Sequence, residues 1–410
     1  MKNIHFTEGG VTAAKGFKAA VTAANIKYEG RTDMALVFSE TPCVSAGTFT
    51  TNVVKAACVQ WDRALIADGK RLHAVVVNSG IANACTGQEG FDACEKTAKA
   101  VENALSVPYD SVAVCSTGVI GMQLPVGKLV KGVEDMSSAL SDTKDAGTEA
   151  SKAIMTTDTV NKETAVTFTL SGKTVTLGGM SKGSGMIHPN MCTMLGFLTT
   201  DAAVSRELLQ EALSDVVSDT FNMISVDGDT STNDTLLLLA NGLAENPEIT
   251  EKNEDYETFR EALFEVCRTL ARKMAGDGEG ASKLFTCHVV HAKSKEDAKT
   301  LARSVVGSSL SKAAIFGCDA NFGRFLCAFG YSGAEFDEKD VELFYEGKSG
   351  RVQVFDRGTP LDFDEEAAER IMKEDEVIVF ADMHEGDGEA TAWGCDLTYD
   401  YVKINADYRS

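Results

Sequence analysis

Short apolar runs that stop at small polar residues, interleaved with longer stretches of helical spacing, constrain this chain most. Runs at 34–38, 74–77 and 112–115 read as strands, and the last two end in Asn78-Ser79-Gly80 and Ser116-Thr117-Gly118. Residues 95–105, 205–221 and 255–274 carry apolar side chains at helical spacing instead. In the second of these, Leu208, Leu209, Ala212, Leu213, Val216 and Val217 share a face; in the third, Phe259, Leu263, Val266, Leu270 and Met274 do, with Gly276 as its stop. Further strands are expected at 284–290, 325–329, 352–355, 377–380 and 390–402. Strands and helices mixed in this way predict an α+β protein, with mixed or antiparallel sheets layered against helices.

The chain has 410 residues, 44% of them hydrophobic, enough for two domains or one large layered body. No run of about 18 apolar residues is present to span a membrane, and the first twenty residues lack a signal-peptide pattern. Eleven cysteines, odd in number and without a C-x-x-C pair, read as reduced thiols in a cytoplasmic protein. Residues 1–192 hold 18 basic against 18 acidic side chains, so the whole net charge of −22 falls on 193–410, with 21 against 43. That acidity argues against nucleic-acid binding and would favour a cationic substrate, although solvation of the surface accounts for most of it.

Residues 182–196 read KGSGMIHPNMCTMLG. A threonine hydroxyl is a weak nucleophile unless a base stands beside it. Cutting the chain just before Thr193 would supply one, because the new α-amine titrates at about 7.7–8.0 whereas a lysine titrates at about 10.4. Cleavage would begin with an N-to-O acyl shift, Thr193 Oγ attacking the carbonyl of Cys192. The competing reading is a strand threonine with a buried methyl. Thr117 and Gly118 offer a hydroxyl and an N–H to a developing oxyanion, or else form a strand-ending turn. Asp227, Asp229 and Ser231 alternate as in a calcium loop, but Thr232 stands at the sixth position and Leu238 at the twelfth, so a hydrogen-bonded loop is expected. Glu279 in GDGEGA is no phosphate cradle; a helix C-cap with solvated charges competes with a binding role. His288 and His291 fall on opposite strand faces, and no metal is expected.

These blocks resemble the ornithine acetyltransferase family, the bifunctional glutamate/ornithine N-acetyltransferases of arginine biosynthesis. The family pattern K-G-x-G-M-I-x-P-x-M-A-T-M-L matches 182–195 except at Cys192, where alanine is usual; both are small, and cleavage is expected to survive. The resemblance continues through NSGIANACTG at 78–87, STGVIG at 116–121, IMTTDT at 154–159, SVDGDTSTND at 225–234, GDGEGA at 276–281 and YVKINADYRS at 401–410. It implies a self-processing fold of N-terminal-nucleophile type, cut between Cys192 and Thr193 into an α chain, 1–192, and a β chain, 193–410, with the site at the junction of these halves. Thr193 is then the nucleophile, Thr117 and Gly118 the oxyanion hole, and Thr156, Lys182, Thr193, Glu279, Asn405 and Ser410 the substrate contacts. Glu279 suits an ornithine ammonium, and Lys182 an amino-acid carboxylate.

The implied reaction moves acetyl from N2-acetyl-L-ornithine to L-glutamate without a cofactor, in an α2β2 assembly. Use of acetyl-CoA as a second donor is left open by these residues. An N-terminal-nucleophile amidase or aminopeptidase, and a catalytically silent amino-acid-binding protein, are the alternatives.

Overall fold

Period-two alternation builds the central strands and buries both of their faces. Met34, Leu36, Ala74, Val76, Val112 and Val114 join one apolar cluster, while their neighbours Ala35, Val37, Val75, Val77, Ala113 and Cys115 join another. The computed structural model of the protein describes residues 4–188 and 194–407. It divides into two units. The first comprises Met1–Gly183, Asn190–Ser218 and Thr230–Leu270; the second comprises Ser184–Pro189, Asp219–Asp229 and Ala271–Ser410.

The strands of the first unit begin with β1 (His5–Thr7), β2 (Phe17–Thr22), β3 (Met34–Phe49), β4 (Leu72–Ile81) and β5 (Val112–Val119). They continue with β6 (Lys162–Leu170), β7 (Lys173–Lys182) and β8 (Leu195–Thr200) and, after β9 (Ile224–Ser225) of the other unit, β10 (Thr235–Ala240). The order is β1-β6-β7-β8-β10-β3-β4-β5, with β2 also paired to β3. Two pairs are parallel, β4 with β5 and β8 with β10; the rest are antiparallel, so the sheet is mixed as expected. The helix Gly87–Leu105 crosses from β4 to β5 and buries Ala93, Cys94, Ala98 and Val101 against Val76 and Val114. Each fully buried valine or leucine in such a layer contributes about 1.5–3 kcal/mol. On the opposite face, Phe17, Ile154, Met180, Phe197 and Leu237 close the core.

Position 193 lies just before β8. That strand is held on both sides, by β7 with Lys182 opposite Leu195 and by β10 with Thr235 opposite Leu195. The first unit therefore draws strands from both 1–192 and 193–410.

The second sheet runs β14 (Thr359–Pro360), β13 (Gly350–Asp356), β12 (Glu342–Gly347), β15 (Glu376–Asp382), β11 (Leu284–Ala292), β16 (Gly388–Cys395) and β9. The helix Lys295–Gly307, capped by Ser294 accepting from the Asp297 N–H at 3.1 Å, lays Leu301, Ala302, Val305 and Val306 on β11 and β16.

Two expectations are corrected here. Residues 325–329 are not a strand but part of the helix Phe322–Gly330. Phe325, Ala328 and Phe329 form its buried stripe, a spacing of three and four, and Phe325 packs on Phe285 and Tyr345 with ring centroids 5.9 Å away in each case. The run 390–402 is a strand only to Cys395. Asp396 then accepts the N–H groups of Ser282 and Lys283 at 2.8 and 3.1 Å, Thr398 donates to Gly280 O at 2.7 Å, and the chain re-forms as the helix Tyr399–Ala406. The other strands and helices stand where the spacing predicted them, the 255–274 stripe forming Glu254–Gly276.

Candidate active site

Thr117 and Gly118 sit inside β5, not in a turn after it. There the ladder with β4 slips, so that Ile81 faces both Thr117 and Val119. Gly118 has φ +133°, and a Cβ on it would lie 2.2 Å from the Gly80 carbonyl carbon, so the close approach of the two strands demands glycine. The bulge is braced by side chains. Ser116 Oγ donates to Asn78 Oδ1 at 2.7 Å, Asn78 Nδ2 to Ile81 O at 3.0 Å, and Ser79 Oγ to Ala153 O at 2.9 Å. Asn233 Nδ2 donates to Ser116 O at 2.8 Å and also reaches Ala82 O at 2.5 Å.

Lys182 ends β7, and its ammonium is turned inward, 7% of the residue remaining exposed. Nζ donates to Thr156 Oγ1 at 2.7 Å and to Thr117 Oγ1 at 3.4 Å. Three of the residues singled out from the sequence thus meet at one ammonium. What aims it was not anticipated. Asp158 lies 3.9 Å from Lys182 Nζ, accepts Lys162 Nζ at 2.7 Å, and takes the N–H groups of Gly183 at 2.8 Å and Thr156 at 3.0 Å. The side chains of Asp158 and Lys162 are fully buried. Burial pushes the Asp158 carboxyl up, but the charges of Lys182 and Lys162 and the hydrogen bonds outweigh it and hold it well below the usual carboxylate range. Arg31 Nη2 bonds the carbonyls of Met155 and Thr156, the latter at 3.4 Å, and fastens the same loop.

In the second unit Glu279 is buried, 5% exposed, so the solvated C-cap is ruled out. Its N–H donates to Ser184 O at 2.8 Å and its Oε2 accepts Asn405 Nδ2 at 2.7 Å, which brings two further expected residues together. A Cβ at Gly185 would lie 2.3 Å from the Glu279 carboxyl, so glycine lets the 184–188 segment pass against it. Asp227 anchors that segment by accepting the N–H groups of Met186 at 2.6 Å and Ile187 at 2.8 Å, with Tyr401 Oη donating to it at 3.3 Å. The hydrogen-bonded loop expected at 227 is borne out, with its carboxylate turned onto the glycine-rich segment. His188 Nδ1 lies 3.0 Å from Ser225 Oγ, and burial, followed by the nearby Arg303 charge, lowers the imidazole's pKa. His288 and His291 each face a carboxylate, Glu389 at 3.0 Å and Asp382 at 2.9 Å; no cluster of three or more ligating side chains among the described residues could hold a metal ion. Cys192, Thr193 and Ser410 lie outside the described residues.

Arg31 and Lys162 went unremarked in the sequence, and Asp158 and Asn233 stood there only inside longer blocks, with no role of their own. Asp158 and Lys162 stand four apart beside a threonine run, a spacing equally common on exposed helices, and nothing in it announces burial.

These features define a layered α+β protein with a lysine, two threonine hydroxyls and a constrained glycine gathered on its first sheet. The chain belongs to the ArgJ family, whose model matches residues 18–410. It is 52% identical over 404 residues to the arginine biosynthesis bifunctional protein ArgJ of Symbiobacterium thermophilum, covering 98% of this chain and 99% of the relative. It is 49% identical over 400 residues to arginine biosynthesis bifunctional protein ArgJ 1 of Clostridium acetobutylicum, covering 98% and 97%. Among solved structures it is similar to ornithine acetyltransferase from Mycobacterium tuberculosis complexed with ornithine, at 45% identity and TM-score 0.43, over 46% of this chain and 99% of that one.

Proposed function

We propose that the protein is a self-cleaving acetyltransferase of arginine biosynthesis, moving acetyl from N2-acetyl-L-ornithine to L-glutamate through an acetyl ester on Thr193. Thr193 Oγ attacks the acetyl carbonyl and its proton passes to the residue's own α-amine. Thr117 Oγ1 and the Gly118 N–H receive the developing oxyanion. The C–N bond breaks, the proton moves to the departing amine, and L-ornithine leaves. The glutamate amine then attacks the ester, a proton returns to Thr193 Oγ, and N-acetyl-L-glutamate is released.

The observation that carries this reading is the contact of Lys182 Nζ with Thr117 Oγ1, 3.4 Å, beside a glycine held at φ +133°. A lysine donating to Thr117 leaves the threonine proton free to point at an oxyanion. Lys182 and Thr156 are read as contacts for the amino-acid carboxylate, Glu279, Asn405 and Ser410 as contacts for the rest of the substrate. The interleaving of β8 between β7 and β10 supports cleavage without loss of fold, because the new α and β chains stay joined by ladder hydrogen bonds. Two copies of each chain are the proposed assembly, and the cytoplasm is the proposed compartment. Seven of the ten described cysteines are buried as free thiols, in keeping with that compartment.

The test is a donor-swap assay read beside intact mass. Acetylornithine plus glutamate should yield acetylglutamate, with both fragments and an acetylated 193–410 chain in the spectrum. Replacing acetylornithine by acetyl-CoA reads whether a second donor serves. Acetate in place of acetylglutamate would identify an amidase, and an uncut 43.7 kDa chain in active enzyme would overturn the mechanism.

A further inference from the structure

Thr156 carries two cations. Lys182 Nζ donates to its Oγ1 at 2.7 Å, and Arg31 Nη2 donates to its carbonyl at 3.4 Å and to the carbonyl of Met155. An ammonium and a guanidinium thus stand on the hydroxyl and the carbonyl of one residue. Arg31 is half-buried, yet among the described residues no carboxylate lies within ion-pair distance of it and no acceptor meets its Nε or Nη1. A guanidinium over the carbonyls that follow the helix Lys144–Ala153 is a fitting C-terminal clamp. That task uses Nη2 alone and leaves the remaining N–H groups, all donors, for an anion.

The loop that carries Arg31 is built to stay in place. Asp33, 2% exposed, accepts the N–H groups of Ala24 at 2.8 Å and Ile26 at 2.6 Å. Asn25 Oδ1 accepts the Gly30 N–H at 2.7 Å, and the Asp33 carbonyl accepts the Ser79 N–H at 2.9 Å. Ser79 lies in β4 beside Gly80, the register partner of Gly118, so the loop is tied to the bulge that presents Thr117 and Gly118. The loop's other cation, Lys27, is engaged by Tyr28, whose hydroxyl it reaches at 2.5 Å and whose ring centroid lies 4.5 Å away.

We propose that Arg31 is a specificity residue for the acetyl acceptor, its Nε and Nη1 groups taking the distal carboxylate of glutamate while Lys182 takes the α-carboxylate. This inference rests on the acetyl transfer to glutamate proposed above. Glutamate is negative at the end where ornithine is positive, so a single charged contact cannot serve both side chains. Glu279 matches the ornithine ammonium and would repel the glutamate carboxylate; Arg31 has the opposite preference.

The experiment measures kcat and KM for acetylornithine, glutamate and glutamine, the uncharged isostere of glutamate, in wild type, Arg31→Gln and Arg31→Lys, with thermal unfolding of each. Wild type should prefer glutamate to glutamine by about 10–100-fold in kcat/KM, the worth of hydrogen bonds to a charged group. Arg31→Gln should bring that ratio close to unity by raising KM for glutamate, with KM for acetylornithine within about twofold of wild type. Arg31→Lys keeps the charge but has one nitrogen for both carbonyls and ligand, and should fall between the two. A Gln variant with the wild-type preference would overturn the proposal. So would equal rises in KM for donor and acceptor, which would leave Arg31 a clamp and nothing more. If Gln does not fold, Lys decides: an undiminished preference for glutamate in it overturns the proposal. Wild type that acetylates neither acceptor would refute the proposed transfer and this inference with it; transfer to glutamate and glutamine alike refutes only the role of Arg31.

Discussion

Replacing Asp158 by Asn removes a carboxylate that faces two lysines, Lys162 and Lys182. Lys162 Nζ, fully buried and 2.7 Å from the carboxylate, loses that bonded charge, and Lys182 loses the charge 3.9 Å away that turns it toward Thr117. Breaking a buried pair from one side costs about 3–5 kcal/mol, because a charge stays in the interior after the carboxylate bonded to it has gone. For a unit of this size each kcal/mol shifts the melting temperature by about 2–4 °C, so Asp158→Asn should melt on the order of 10 °C lower. The Asp158→Asn, Lys162→Met double variant should recover most of that loss, since both charges then leave together. The pH dependence has a definite sign. The native carboxyl titrates below its unfolded value, so its stabilisation is present above about pH 4 and fades as pH falls through the native value, and only wild type should show this acid-side loss. Thermal unfolding by circular dichroism from pH 3 to 8, with kinetics at 25 °C, measures all of it; Asp158→Asn should also raise KM more than it lowers kcat. A melting temperature within 2 °C of wild type, or a double variant as unstable as the single one, would contradict the role given to this carboxylate.

Gly118→Ala would force a Cβ to 2.2 Å from the Gly80 backbone at a φ unsuited to alanine, so we expect loss of acetyl transfer and at least about 1–3 kcal/mol of destabilisation, read by assay and denaturant melts. Gly185→Ala would push against the Glu279 carboxyl at 2.3 Å, and should raise KM for acetylornithine several-fold with little change in melting temperature; an unchanged KM would count against Glu279 as a substrate contact. Asp62, 1% exposed, accepts the Val114 N–H at 2.8 Å and Cys115 Sγ at 3.2 Å, and burial raises its carboxyl to about 8. The folded state then keeps a proton that the unfolded chain releases, so stability should fall by about 1.4 kcal/mol per unit as pH rises from about 4 to 8, and the slope should flatten in Asp62→Asn. Denaturant midpoints at five pH values would show it. Phe325→Ala should cost about 3–5 kcal/mol, the penalty for emptying a core aromatic site, where a peripheral helix residue would cost little.

Much of this protein was written locally. Period-two alternation and the 3.6-residue stripes are properties of neighbouring residues, so β3, β4, β5 and the helices Arg206–Asp219 and Glu254–Gly276 could be read from the chain alone. Thr117, Gly118, Thr156, Lys182, Glu279 and Asn405 were legible because ordered blocks resemble a family, not because spacing showed them to meet. Where local signals competed, reading failed: residues 325–329 are apolar enough for a strand, and only their packing on Phe285 and Tyr345 reveals that the 322-325-329 aromatic spacing is helical. Burial of charge was invisible for a different reason. Whether Asp158, Lys162 and Asp234 sit in water or in the core depends on strands more than a hundred residues distant in some cases, brought alongside by pairing of β8 with β7 and β10. Side-chain chemistry is set by the residue, whereas its dielectric surroundings and counter-charges are set by everything packed around it. The sequence therefore determined which groups were available and the tertiary structure decided which of them are aimed, neutralised or kept protonated.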